Sequence, residues 1–248
     1  MALFRVINQT PIASNGMSLT SSRHSEPGSA VQAEGTNGRK AGALLLLTAL
    51  MSAISAVSRV SADADQATLQ ESLDAISLHR GLYGMGGAAR SVSGVMLVTA
   101  AWFLLHTWII RRRPGSPLVP VLLAVSGAFT AISGLSALVL TAAAPDVSPF
   151  IEASELSRWF TGQIGFTAAG LALIIASRYQ WKVGGTLRFI APLSAILGAA
   201  MQFIWIDSAT AVHPVVGAVF FLWLLAIGGM LFTGRTEKLF IRMVDSGH

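Results

Sequence analysis

The chain has 248 residues, 53% of them hydrophobic and only 12% charged, about half the charged fraction of an ordinary soluble domain. There is no cysteine, which excludes disulfides, thiolate catalysis, iron–sulfur ligation and covalent haem attachment. The net charge is +5, and a pI near 10.4 would suggest nucleic acid in a soluble chain, but the placement of the bases explains it here, and no nucleic-acid partner is expected.

Residues 1–40 are polar, rich in Ser, Gly, Asn and Gln, and too poor in apolar residues for a secretory signal. Such a composition predicts a disordered cytoplasmic tail. The alternative is an organellar transit peptide, since Arg5 and Arg23 lie among Ser and Thr with no acid before Glu26. Met17 offers a second start.

Six apolar runs follow, at 41–60, 91–110, 118–143, 159–177, 189–206 and 212–232. A membrane-crossing helix needs about 20 apolar residues. The prediction is an all-α integral membrane protein: a six-transmembrane-helix bundle over 41–233, then a short cytoplasmic tail over 234–248. The bases alternate with the runs. Arg5, Arg23, Arg39, Lys40, Arg111, Arg112, Arg113, Arg178, Lys182, Arg188, Arg235, Lys238 and Arg242 share one side with four acids, a net of +9. Arg59, Arg80, Arg90 and Arg158 share the other with eight acids, a net of −4. Because cytoplasmic loops collect Lys and Arg, both termini are expected in the cytoplasm and the chain in the plasma (bacterial inner) membrane. An organellar inner membrane is the alternative if the tail is cleaved.

The first run carries Thr48, Ser52, Ser55 and Arg59 at spacings of four, three and four, one polar stripe along a helix. It reads as interhelical hydrogen bonding, with Arg59 snorkelling to the outer surface, against a lined polar path. Next, Asp65 is expected to cap an outer amphipathic helix running to about His79, with Leu69, Leu73 and Ile76 on one face. Gly81, Gly84, Gly86 and Gly87 then read as a flexible break before the second run.

His106 is the histidine placed inside a run, five residues before Arg111, hence about 7 Å from the cytoplasmic boundary. No cofactor is predicted; a haem or a chlorophyll-type pigment on His106 is the minority alternative, with Met230 of the sixth run at similar depth. The third run has Gly127/Ala131 and Ser126/Thr130/Gly134 at four-residue spacing, and the fourth has Gly165/Ala169; such rows let backbones approach closely. Ser148-Pro149 marks a helix start leading through Glu152, Glu155 and Arg158 into the fourth run. Gln163 and Gln202 lie in the fourth and fifth runs and call for partners across helices. His79, Arg80, Glu152, Glu155, Arg158, Asp207 and His213 read as a solvated, salt-bridged outer surface rather than a metal site.

Trp159 and Trp205 suit the outer interface, Trp108 and Trp181 the inner one, and Trp102 and Trp223 packing positions. After the sixth run, Arg235, Lys238 and Arg242 lie opposite Leu239, Phe240, Met243 and Val244, the pattern of a C-terminal interfacial helix on anionic lipid. Expected partners are therefore the bilayer, anionic lipid at the cytoplasmic face, and other membrane subunits.

There is no HExxH, GxSxG or P-loop, no acid inside a run, and no inverted repeat of three plus three runs. The leading function is a non-enzymatic accessory, assembly, sensory or apolar-ligand-binding subunit. The alternatives are a small-solute transporter or channel lined by Thr48, Ser52, Ser55, Gln163 and Gln202, and a redox or pigment subunit using His106.

Overall fold

The computed structural model describes residues 27–111, 115–203 and 212–245, with backbone alone at 27–35 and 212–214. These residues form helices and connections, with no strand among them. The helices are α1 (Pro27–Ser61), α2 (Leu69–Leu78), α3 (Arg80–Leu105), α4 (Trp108–Arg111), α5 (Leu118–Ala143), α6 (Pro149–Val183), α7 (Gly185–Phe203), α8 (Val212–Phe232) and α9 (Arg235–Asp245). Six of them, α1, α3, α5, α6, α7 and α8, are long and apolar enough to cross a membrane, the architecture of a multi-pass membrane protein. Large apolar side chains on their outward faces, among them Val60, Phe189, Ile196 and Leu222, are exposed in a way that suits lipid and would be a liability in water.

Each spanning helix runs antiparallel to its neighbour in the order α8, α1, α3, α5, α6, α7, and a thinner α7–α8 contact closes the set. Small residues set each register. A methyl on Gly94 of α3 would lie 2.5 Å from the Gly127 carbonyl oxygen of α5. One on Gly198 of α7 would lie 2.5 Å from the Gly170 oxygen of α6, and one on Gly42 of α1 would lie 2.6 Å from the Gly228 oxygen of α8. Between α5 and α6, Gly165 faces Thr130 and Ser126, and Ser133 Oγ donates to the Arg158 carbonyl at 2.9 Å. The main core, with Leu45, Leu97, Leu123, Leu173, Met201 and Leu224, fills the space between these crossings.

Several boundaries differ from those expected. Residues 27–40, assigned to the disordered tail, belong to α1; the rest of that tail, 1–26, lies outside the described residues. The glycines 81–87 do not break the chain but lie inside α3, which starts at Arg80. Their role is space: Gly86 faces the Ser55 carbonyl of α1, and Gly87 the Gly134 carbonyl of α5. At its other end α3 stops at Leu105, so His106 is the residue that terminates the helix rather than one within it. Thr107 Oγ1 donates to the Leu104 carbonyl at 2.6 Å, and Asn37 Nδ2 of α1 donates to the His106 carbonyl at 3.2 Å, which satisfies groups freed by the break.

The cap of α2 is Thr68, not Asp65. Thr68 Oγ1 accepts from the Glu71 N–H at 3.2 Å while Glu71 accepts from the Thr68 N–H at 3.1 Å, a reciprocal box that satisfies two donors. Leu73 and Ile76 of α2 are buried with Tyr83, Leu140 and Ile151, so this helix is tied to the bundle. Ser148 caps α6 as expected, accepting from the Ile151 N–H at 3.4 Å. Trp102, assigned to packing, is 61% exposed, whereas Trp223 is buried and donates its indole N–H to Ser194 Oγ at 2.7 Å. In α9, Phe240 packs on Leu187 and Met230 while Arg235, Lys238 and Arg242 are exposed.

Adding a methyl at the α3–α5 crossing forces backbone apart. Gly94→Ala is expected to destabilise the folded bundle by about 1–3 kcal/mol. Gly229→Ala on α8, where an added methyl meets nothing within 4 Å, is expected to be neutral or mildly stabilising. Thermal unfolding in detergent measures both; equal effects of the two would show that the crossing is not close-packed.

Candidate functional site

Three arginines from three helices converge near the end of the bundle where α1 finishes. Arg59 lies in the last turn of α1, Arg90 about 15 Å along α3 from its start, and Arg158 about as far along α6. Together with Ser55, Tyr83, Gly86, Gly87 and Ala137 they line a cavity of about 10 Å³, room for about one water. Tyr83, Gly87 and Arg90 share one face of α3, and the two glycines bring that face against α1 and α5. Gly162 of α6 does the same for the guanidinium: a methyl there would lie 3.1 Å from Arg90 Nη2.

Two carboxylates meet the three cations. Glu155 takes a forked pair from Arg158, through Nε at 2.6 Å and through Nη2, with the Arg158 side chain only 11% exposed. Asp65, in the α1–α2 connection, pairs with Arg59 and lies 3.9 Å from Arg158 Nη2. The bidentate geometry is the strong form of the arginine–carboxylate bond. Arg90 has no carboxylate within ion-pair reach among the described residues, and the charges of Arg59 and Arg158 oppose it. Arg59 Nε is buried with no acceptor. Among the described residues the cluster therefore holds one more cation than anion and an unused donor.

This changes the reading of several residues. Arg59 does not snorkel freely but is bound to Asp65, and Arg158 with Glu155 is a largely buried pair, not a solvated surface one. Arg80 donates to the Ala144 carbonyl and so caps the end of α5. Among the described residues no three of His, Cys, Asp and Glu come together as a metal group; Asp207 and the His213 side chain, like Trp205, lie outside them.

The intramembrane polar candidates are dispersed. Thr48 is buried and donates to the Leu44 carbonyl of its own helix at 2.8 Å. Ser52 and Ser55 are half-buried, and of the two only Ser55 reaches the arginine cavity. Gln202 Nε2 crosses to the Thr167 carbonyl of α6 at 3.2 Å. Gln163 Nε2, next to Gly162, is buried with no partner. His106 Nδ1 is 2.7 Å from the Trp102 carbonyl, and its ring lies 4.6 Å from that of Trp102. Met230 is buried with Leu187 and Phe240.

The arginine cluster is the feature that residue-by-residue reading misses. A signal was present: Ser55/Arg59, Gly86/Arg90 and Arg158/Gly162 each repeat a small or hydroxyl residue four positions from an arginine, which places space beside a guanidinium. The chain matches no family model, no curated protein and no solved structure.

Removing Glu155 leaves Arg158 without its fork in a site that excludes most water. Glu155→Gln is expected to cost about 2 kcal/mol of stability, whereas Asp65→Asn, at a carboxylate 61% exposed, is expected to cost under about 1 kcal/mol. Thermal unfolding of the two variants in one detergent checks the order, and a reversed order would mean that Asp65 is the principal counter-ion.

Proposed function

We propose that this chain is a non-enzymatic six-span membrane subunit that binds a small inorganic anion at Arg90. The observation that carries this reading is a guanidinium set about 15 Å into a spanning helix, with no carboxylate of its own among the described residues, beside a cavity shared with two further arginines. An unpaired cation is expensive inside a membrane and by default marks a functional site with a missing partner. The cavity is no larger than one water, so the smallest, monatomic anions such as chloride are the class proposed, with the three arginines moving apart to admit one. The thirteen-to-four split of bases orients the cluster toward the non-cytoplasmic side of the plasma membrane, with both termini in the cytoplasm. Bound anion then fixes α1, α3 and α6 relative to one another, the property of a sensory or assembly subunit.

Transport is the second reading, favoured by the buried, partnerless Nε2 of Gln163 beside Gly162. Ser52, Gln163 and Gln202 nonetheless line neither the arginine cavity nor the larger cleft between α6 and α7. The redox reading rests on His106 and Met230, and a purified protein that absorbs only in the aromatic band removes it.

Titrating sodium chloride against sodium gluconate at constant ionic strength is expected to give a saturable rise in melting temperature. Arg90→Gln is expected to weaken that response at least tenfold. A wild-type response no different from gluconate, or a response intact in Arg90→Gln, sinks the anion-binding assignment. Chloride flux into proteoliposomes above that of empty vesicles would decide for transport, and saturable binding without flux for a subunit that binds and holds.

A further inference from the structure

The opposite end of the bundle carries a wider opening. Between the last turns of α6 and the middle of α7 lies a cleft of about 510 Å³. One wall is Arg178, Trp181 and Lys182; the other is Ala191, Pro192 and Ala195, small and apolar. No acid occurs between residues 156 and 206, and neither Arg178 nor Lys182 has an ion-pair partner among the described residues. Arg188 adds a third cation, its guanidinium carbon 5.0 Å from the Trp181 ring centroid.

A buried polar link joins the helices next to the cleft. Ser194 Oγ donates to Gln180 Oε1 at 2.7 Å and accepts from Trp223 Nε1 at 2.7 Å, tying α6, α7 and α8 together. Gln180 lies between the two cationic lining residues in sequence, and Ser194 precedes Ala195. On the flanking face of α7, Phe189, Leu193 and Ile196 are 83%, 45% and 69% exposed, an apolar strip at helical spacing. A cationic cleft that opens beside an exposed apolar strip matches an amphiphile with an anionic head, not a soluble anion. The volume is also that of an ordinary ligand site.

We infer that this cleft binds the headgroup phosphate of an anionic phospholipid of the surrounding bilayer. Arg178 and Lys182 receive the phosphate, Trp181 lies at the level of the headgroup, and the acyl chains follow Phe189, Leu193 and Ile196. Basic pockets between spanning helices are suited to this chemistry, and the charge is worth more there than on an open surface.

The test is native mass spectrometry of the full chain in mild detergent, titrated with phosphatidylglycerol or phosphatidylcholine. The wild type is expected to retain one phosphatidylglycerol at least tenfold more tightly than phosphatidylcholine. The double variant R178Q/K182Q is expected to lose that preference, and Ala195→Phe, which fills the cleft, to lose the bound lipid. R235Q/R242Q on the exposed face of α9 is expected to retain both. Should R178Q/K182Q fail to fold, as judged by melting in phosphatidylcholine, Ala195→Phe decides alone. Equal retention of the two lipids, retention unchanged in Ala195→Phe, or loss only in the α9 variant overturns the assignment. Displacement of the lipid by millimolar inorganic phosphate also overturns it, in favour of a free-phosphate site. Arg90 is intact in every variant, so this outcome is separate from that of the chloride titration.

Discussion

Backbone-to-backbone approach at glycine is the contact on which the other features depend. Between helices in lipid there is little to gain from burying apolar surface, since the solvent is as apolar as the side chains. Attraction has to come from close packing, and close packing needs residues without bulk. Gly94 against Gly127, Gly170 against Gly198 and Gly42 against Gly228 each leave less than a methyl's worth of space. Such crossings resist sliding, because a shift of one residue moves a helix by about 1.5 Å and places a side chain where only hydrogen fits. With Gly86 against Ser55 joining α1 to α3, and Gly165 against Ser126 joining α5 to α6, register is fixed along α8, α1, α3, α5, α6 and α7. A fixed register brings Arg59, Arg90 and Arg158, residues far apart in the chain, to one level.

The charges then follow a geometry that lysine would not satisfy. A guanidinium presents five donors in a plane, so Arg158 engages both oxygens of Glu155 while its Nη2 still lies near Asp65. Asp65 belongs to no helix. Its position depends on α2, which is started by the Thr68–Glu71 box and docked through Leu73 and Ile76 onto the cluster that includes Tyr83. The short amphipathic helix thus does more than cover apolar surface, because it holds the connection that supplies a counter-ion to α1.

The number and order of the spans were legible because hydrophobic runs of bilayer length are a strong signal and need no tertiary information, while their ends were not, as α3 runs over 80–105 and not 91–110. The helix start at Ser148-Pro149 and the small-residue rows at Gly127 and Gly165 were legible for the same local reason. The glycines 81–87 were ambiguous: glycine is both a helix breaker in water and a packing residue between spanning helices, and only the facing residues, Ser55 and Gly134, decide which. The Thr68-x-x-Glu71 box was readable and outranks Asp65 as a cap, because it satisfies two donors instead of one. The arginine cluster was not readable as a unit. Each of its members has an ordinary explanation alone, and convergence is a property of register between helices, which single-helix periodicity does not contain.

The two ends of the bundle handle positive charge by different physics. Near the end of α1 the cations face inward, the protein supplies two carboxylates, and the space left is that of a single small ligand. At the junction of α6 and α7 none of the described lining residues is acidic, and Arg178 and Lys182 border a cleft about fifty times larger beside exposed Phe189 and Ile196. Compensation by internal carboxylates demands rigid placement, which the glycine crossings and α2 provide. Compensation by lipid phosphate, as proposed for the second site, would demand only an opening with a wall of small residues, and α7 presents Ala191, Pro192 and Ala195 there. A charge reversal at Glu155 and one at Arg178 are thus unequal perturbations. The first sets a fourth cation among three inside the bundle, while the second alters only the charge of the cleft wall and, on the proposed reading, its hold on lipid.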